Sequence, residues 1–218
     1  GKLVRLEDLV AARPVSGALG IGHTRWATHG VPSESNAHPH ATERVAVVHN
    51  GIIENFQTLR DELTAEGHEF ATDTDTEVVT QLIHAFLKEG MAPAEATARA
   101  LKRLEGAFAL GIIFAGEHDV LIGARRGAPL AVGHGEGEMF LASDAMALAP
   151  FTRRVSYLEE GDWVVLKHGG ATVRDAEDQI VEREISQTVH DGEAVGKENY
   201  RHFMHKEIHQ QPQALADA

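Results

Sequence analysis

From residue 107 to residue 177 the chain is a succession of short β-type runs: AFALGIIFA, VLIGARRG, APLAVGHG, EMFLASD, RVSYLEE, DWVVLKHGG and ATVRDAE. Glycine or charged residues separate them at intervals of only a few positions. A parallel pairing needs a crossover of about a dozen residues or more, so spacing this tight predicts antiparallel sheet. The first part of the chain has a different texture. LVRLEDLVAARP, Leu3 to Pro14, places apolar residues at helical intervals and stops at proline, and GALGIGHTRWA after it reads as a strand. THGVPSESNAHPHATE is loop, since two prolines, a glycine and small polar residues break any regular period.

VAVVHNGII, Val45 to Ile53, has the apolar density of a strand buried on both faces, broken by Asn50-Gly51. A helix is predicted from about Asn55, with Phe56, Leu59 and Leu63 on one side and Gly67 as its stop. A second follows ATDTDTE, with Thr76 as cap and Val78, Val79, Leu82, Ile83, Phe86 and Leu87 along one side. A third spans Pro93 to Leu104, and YRHFMHKEIHQQP reads as helix as far as Pro212. Strands, then helices, then many strands give an α+β fold with stacked sheets rather than a doubly wound parallel one.

Composition narrows the function. The 218 residues carry 33 acidic against 20 basic side chains, a net charge of -13 that repels a phosphate backbone, so nucleic acid is not the expected partner. No apolar run approaches the roughly 20 residues that span a bilayer, no signal peptide opens the chain, and the expected location is cytoplasmic. There is no cysteine, which removes disulfides, thiolate metal sites and a sulfur nucleophile from these residues. The opening GKLVRLEDL, without methionine, reads as internal to a longer protein.

The polar chemistry concentrates in HTRWATHG, His23 to Gly30. On a strand, His23 and Arg25 share one face, and the planar fork of Arg25 matches either a substrate carboxylate or a structural acid. Asn50-Gly51 fits an oxyanion hole, with an amide and an exposed glycine N–H as donors, or a plain turn between strands. Asp75, just before a helix, fits a cap or a ligand for an ammonium group. Arg25 and Asp75 together would clamp the two charged ends of an α-amino acid. The 14 histidines, His38, His40 and His49 among them, lack the spacing of a metal motif, and no phosphate loop or dinucleotide pattern is present, so neither metal nor cofactor is expected.

Taken in order, HTRWATHG, NAHPH, HNGIIEN, TDTDTEV, ASD, TRRVSYLEEGD and YRHFMHKEI resemble the glutaminase domains of the glutamine–fructose-6-phosphate aminotransferase (isomerizing) family, which are class II glutamine amidotransferases. The resemblance implies an N-terminal nucleophile fold, a sandwich of two antiparallel sheets flanked by helices. It assigns residues 1–212 to the amidotransferase domain, lacking its first strand, and residues 213–218 to the start of a linker. In this family an N-terminal cysteine attacks the glutamine amide with its own α-amine as base, which is reasonable for a group titrating near about pH 8. The ammonia passes to a sugar-isomerase domain of the same polypeptide that makes glucosamine 6-phosphate.

Carried over by motif, Arg25 holds the glutamine α-carboxylate and Asp75 its ammonium. Thr28 and His29 line the pocket, Asn50 and Gly51 form the oxyanion hole, Trp26 gates the ammonia passage and His38 belongs to a hinge region. The resemblance also implies a homodimer. Without the cysteine, the chain by itself is expected to be inactive, and a non-catalytic glutamine-binding or assembly domain is the alternative.

Overall fold

The computed structural model describes residues 3–25, 29–188 and 199–216. Eleven strands lie in two antiparallel sheets among these residues. The larger has the order β1 (His40–Ala41), β2 (Val45–Ile53), β3 (Gly106–Phe114), β4 (Leu121–Arg126), β8 (Trp163–Lys167), β9 (Gly170–Arg174) and β10 (Ile180–Val181). The smaller has the order β11 (Ser186–Gln187), β7 (Arg154–Tyr157), β5 (Ala131–His134) and β6 (Met139–Ala142). Helices α2 (Phe56–Ala65), α3 (Asp75–Lys88) and α4 (Pro93–Leu101) join β2 to β3, and α3 packs on β2.

Strand periodicity sorts the side chains into layers. On β3, Phe108, Leu110 and Ile112 enter the core shared with the helices, where they meet Leu59, Val78, Leu82 and Ile83. The intervening Ala109, with Leu121, Val164 and Leu166, faces the second core, where Leu130 and Val132 arrive from the smaller sheet. The result is helix on sheet on sheet, the α+β sandwich the sequence pattern implies. The sheets approach closely because Gly111 and Gly123 sit opposite each other on β3 and β4. A Cβ on Gly123 would lie 2.8 Å from Leu141 of β6.

The seven β-type runs become β3 to β9, and the helices fall where periodicity places them, the third ending at Leu101 rather than Leu104. Other readings are corrected. The described part of GALGIGHTRWA, Gly17 to Arg25, is no strand: it forms no ladder, three glycines weaken its β preference, and Arg25 breaks the run with φ +48°. Leu19 and Ile21 nevertheless pack on the core between the sheets. Asn50-Gly51 is not a turn, since β2 continues through it with Asn50 opposite Ala109 and Gly51 opposite Phe108. Helix α3 is capped by Thr74, not Thr76, because the first turn already includes Asp75 and Thr76.

Helix α1 (Val4–Ala12) forms as expected, but none of its residues is buried. Helix α5 (Phe203–Ala216) does not stop at Pro212; it forgoes the one hydrogen bond a proline cannot donate and continues for another turn. None of the described helices is long and apolar enough to cross a membrane.

Candidate active site

A cavity of about 230 Å³ opens where the N-terminus of α3 meets the end of β2. It is lined by His23, Arg25, His29, His38, His49, Asn50, Gly51, Thr74, Asp75 and Thr76. Residues 23–25, the loop after residue 28, β2 and α3 thus converge, bringing Arg25, His29, Asn50, Gly51 and Asp75 into one pocket. Trp26 and Thr28 lie outside the described residues. A larger cavity of about 440 Å³ between the sheets has a mainly apolar lining that includes Leu19, Ile21, Val48 and Leu141. It collects none of the residues singled out for chemistry, so the smaller cavity is the candidate site.

The α3 wall is tied down by its own polar residues. Thr74 Oγ1 accepts from Glu77 N–H at 3.3 Å, capping the helix. The Glu77 carboxylate folds back to accept from the N–H groups of Ala71 and Thr72, both at 2.8 Å, and from the Thr72 hydroxyl at 2.7 Å. Asp75 is left free of capping duty and is 3% exposed. Its Oδ2 accepts from Ile53 N–H at 2.9 Å, joining α3 to β2. Oδ1 receives no bond from any described residue. A buried carboxylate with one oxygen available, at the positive end of a helix, is held ready for a cation.

The β2 wall depends on Gly51. Its φ is +118°, and a Cβ there would fall 2.0 Å from the Ala107 carbonyl oxygen of β3, so only glycine keeps the strand paired here. Beside it, Asn50 Oδ1 accepts from His23 Nε2 at 2.7 Å. His23 Nδ1 accepts from Arg25 N–H at 2.8 Å, which leaves the ring proton on Nε2 and makes it the donor to Asn50.

The remaining wall is loop. Arg25 Nη2 donates to the carbonyls of His29 at 2.9 Å and Gly30 at 3.1 Å, and Nη1 to that of Val31 at 3.3 Å. Three of the five guanidinium N–H groups therefore hold the loop, and the other two meet no acceptor among the described residues. In place of strand geometry Arg25 has irregular backbone at φ +48°, yet it still lines the cavity. His29 Nδ1 lies 3.9 Å from Asp75 Oδ2, and its ring edge meets Phe56 with centroids 5.0 Å apart.

Imidazoles fill the base. His49 N–H donates to His38 Nδ1 at 3.4 Å, and Thr76 Oγ1 bridges His38 Nε2 at 3.2 Å and His49 Nδ1 at 3.0 Å. Burial is the main cause that lowers His38 from 6.5 to about 3, reinforced by the neighbouring His23, His40, His49 and Arg25. Burial likewise takes His49 to about 4 although the Asp75 charge opposes it. His40, which meets Thr74 Oγ1 at 3.0 Å, is also lowered by burial. Rings held neutral here repel no ammonium group and leave the Asp75 charge uncompensated.

His23, His40, His49, Thr74 and Thr76 were not marked as site residues by sequence reasoning. His49 offered a signal: it occupies an inward position of β2 in phase with Val45 and Val47, where an apolar residue belongs. The other contacts span tens of positions and leave no local trace. No group of three or more His, Asp or Glu among the described residues could hold a metal ion.

Comparison with known proteins adds an independent line. Relatives named glutamine–fructose-6-phosphate aminotransferase [isomerizing] are 56% identical in Mesorhizobium japonicum and 59% identical in Bradyrhizobium diazoefficiens, each over 99% of this chain. The chain spans only 36% and 35% of their lengths. A solved glutamine phosphoribosylpyrophosphate amidotransferase from B. subtilis, complexed with ADP and GMP, superposes with TM-score 0.59 at 26% identity, covering 72% of this chain and 35% of that one. The structure of an allosteric regulatory enzyme of purine biosynthesis gives the same score and identity over 70% of this chain and 34% of its own. These neighbours agree with an N-terminal nucleophile amidotransferase sandwich. The family model for the glutamine amidotransferase domain matches residues 23–150, more than half of the chain, and the chain belongs to that family.

Proposed function

We propose that this chain is the glutaminase part of a glutamine–fructose-6-phosphate aminotransferase (isomerizing), binding glutamine in the α3–β2 cavity and releasing ammonia for glucosamine 6-phosphate synthesis. The observation that carries this reading is the convergence on one cavity of a partly free guanidinium, a buried carboxylate and the Asn50-Gly51 pair. Arg25 grips the α-carboxylate with its spare N–H groups and Asp75 Oδ1 takes the α-ammonium. The side-chain amide then reaches Asn50 Nδ2 and the Gly51 N–H, which stabilise the oxyanion as the carbonyl carbon becomes tetrahedral. Thr28 and His29 complete the pocket, and Trp26 gates the route by which ammonia leaves.

The nucleophile is a cysteine thiol contributed by the polypeptide outside these 218 residues, which contain none. Its α-amine accepts the thiol proton, sulfur bonds to the amide carbon, the proton passes to nitrogen and ammonia departs. Water then cleaves the thioester to glutamate. Residues 1–212 serve as the amidotransferase domain, and 213–218 lead toward a sugar-isomerase domain in a cytoplasmic homodimer.

The test compares two samples. The intact polypeptide containing this chain is expected to release glutamate from glutamine and to form glucosamine 6-phosphate from fructose 6-phosphate, whereas the isolated 218 residues release none. D75N should raise KM for glutamine about 100-fold, equivalent to about 2.7 kcal/mol of lost charge-assisted binding. Failure of the intact polypeptide to hydrolyse glutamine, or turnover by the isolated chain, overturns the proposal.

A further inference from the structure

We infer that His23 is a positioning residue that holds the carboxyl-binding loop and the oxyanion donor in one register. The inference rests on the glutaminase reading and deepens it. The imidazole uses both nitrogens: Nδ1 accepts the backbone N–H of Arg25 at 2.8 Å and Nε2 donates to Asn50 Oδ1 at 2.7 Å.

The second bond decides which way the carboxamide faces. With Oδ1 turned to His23, Nδ2 and its two hydrogens point away from the ring, and Asn50 lines the cavity where those hydrogens are needed. Without this partner the amide loses the contact that distinguishes its oxygen from its nitrogen. Turned over, it presents an acceptor to a developing negative charge. The first bond acts on the other end of the substrate. Arg25 sits at φ +48°, a conformation disfavoured for a side chain with Cβ, and the bond to His23 fixes its peptide there. His23 itself is half-buried, and its ring lies against His38 with centroids 4.4 Å apart, which limits its rotation.

Because the two bonds come from different ring atoms, they can be removed separately. Asn at position 23 places an amide oxygen at the Nδ1 position and nothing at Nε2. Gln places an amide nitrogen near Nε2 and nothing at Nδ1. Steady-state glutamine hydrolysis by the intact polypeptide is therefore expected to split. H23N should lower kcat about 30- to 100-fold with KM within about threefold of wild type, up to the lower end of the loss seen when an oxyanion donor is removed outright. H23Q should lose far less of kcat and raise KM about tenfold. A thermal unfolding scan on each variant verifies folding. If the folded variants shift the same parameter by similar factors, or if neither departs from wild type, the positioning role is wrong while the glutaminase reading stands. If wild type itself releases no glutamate, the glutaminase reading fails and the role falls with it.

Discussion

The wall of the cavity built from β2 and α3 and the wall built from residues 23–25 and 29–31 differ in what fixes them. The first is held by regular elements: strand pairing carries Asn50 and Gly51, a capped helix carries Asp75, and the Ile53–Asp75 bond ties the two together. The described residues of the second lie in no ladder and no helix. Its shape depends on side chains: one guanidinium gripping three carbonyls, one imidazole gripping an N–H, and the buried Asn36 amide donating to the Val31 carbonyl. The groups proposed to meet the reacting atoms and the ammonium thus sit on the stiff side, and the group proposed for the carboxylate sits on the adjustable side. Such a division lets the pocket accept a ligand without distorting its donors.

The stiff wall is most vulnerable at Gly51. G51A forces a methyl group into the Ala107 carbonyl at a positive φ, and a loss of at least about 3 kcal/mol of stability is expected. Thermal unfolding should then drop by roughly 10 °C, and an unchanged transition would show that β2 is not the stiff element described. On the adjustable side R25K keeps the charge but loses the fork. An ammonium has only three N–H groups against the fork's five, so those that hold the carbonyls are lost to the ligand, and KM for glutamine should rise about tenfold, about 1.4 kcal/mol, with kcat much less affected. Equal KM values for wild type and R25K would place the loop's shape in other hands.

The effect that is smallest near neutrality concerns the imidazoles beneath both walls. In the unfolded chain His38 and His49 take up protons around 6.5, whereas in the fold they stay neutral until about 3 and about 4. The unfolded state binds more protons across that interval, so stability is full above pH 6.5 and is lost as pH falls through it. Denaturant midpoints should decline modestly from pH 7 to pH 6 and more steeply below, and H38Q should flatten the slope. A midpoint independent of pH would mean that the rings are solvated.

The strands after residue 106 and the helices before it were legible because their signal is local: period two with glycine punctuation, or period three to four with a buried stripe. The reading of Gly17 to Arg25 as strand failed because alternation reports compatibility with a sheet, not the presence of a partner. Of the two readings open for Asn50-Gly51, the turn rests on the dipeptide's usual place in hairpins, whereas here the glycine answers a close carbonyl on β3. Thr76 was credited with the cap that Thr74 makes, since the two differ only in which one precedes the first helical φ/ψ pair. The motifs gathered Arg25, Asn50 and Asp75, but His23 gained its role only when Asn50, 27 positions away, came within reach.

Asp75 is tethered to Ile53, and Ile53 stands three residues beyond Asn50 on the same strand. The interval between acid and amide donors is thus graduated by backbone pitch, about 3.3 Å per residue, and not by any hinge. The protein carries a ruler with one end anchored. That length is set without the far wall, so it is the same whichever way the loop side of the pocket is arranged.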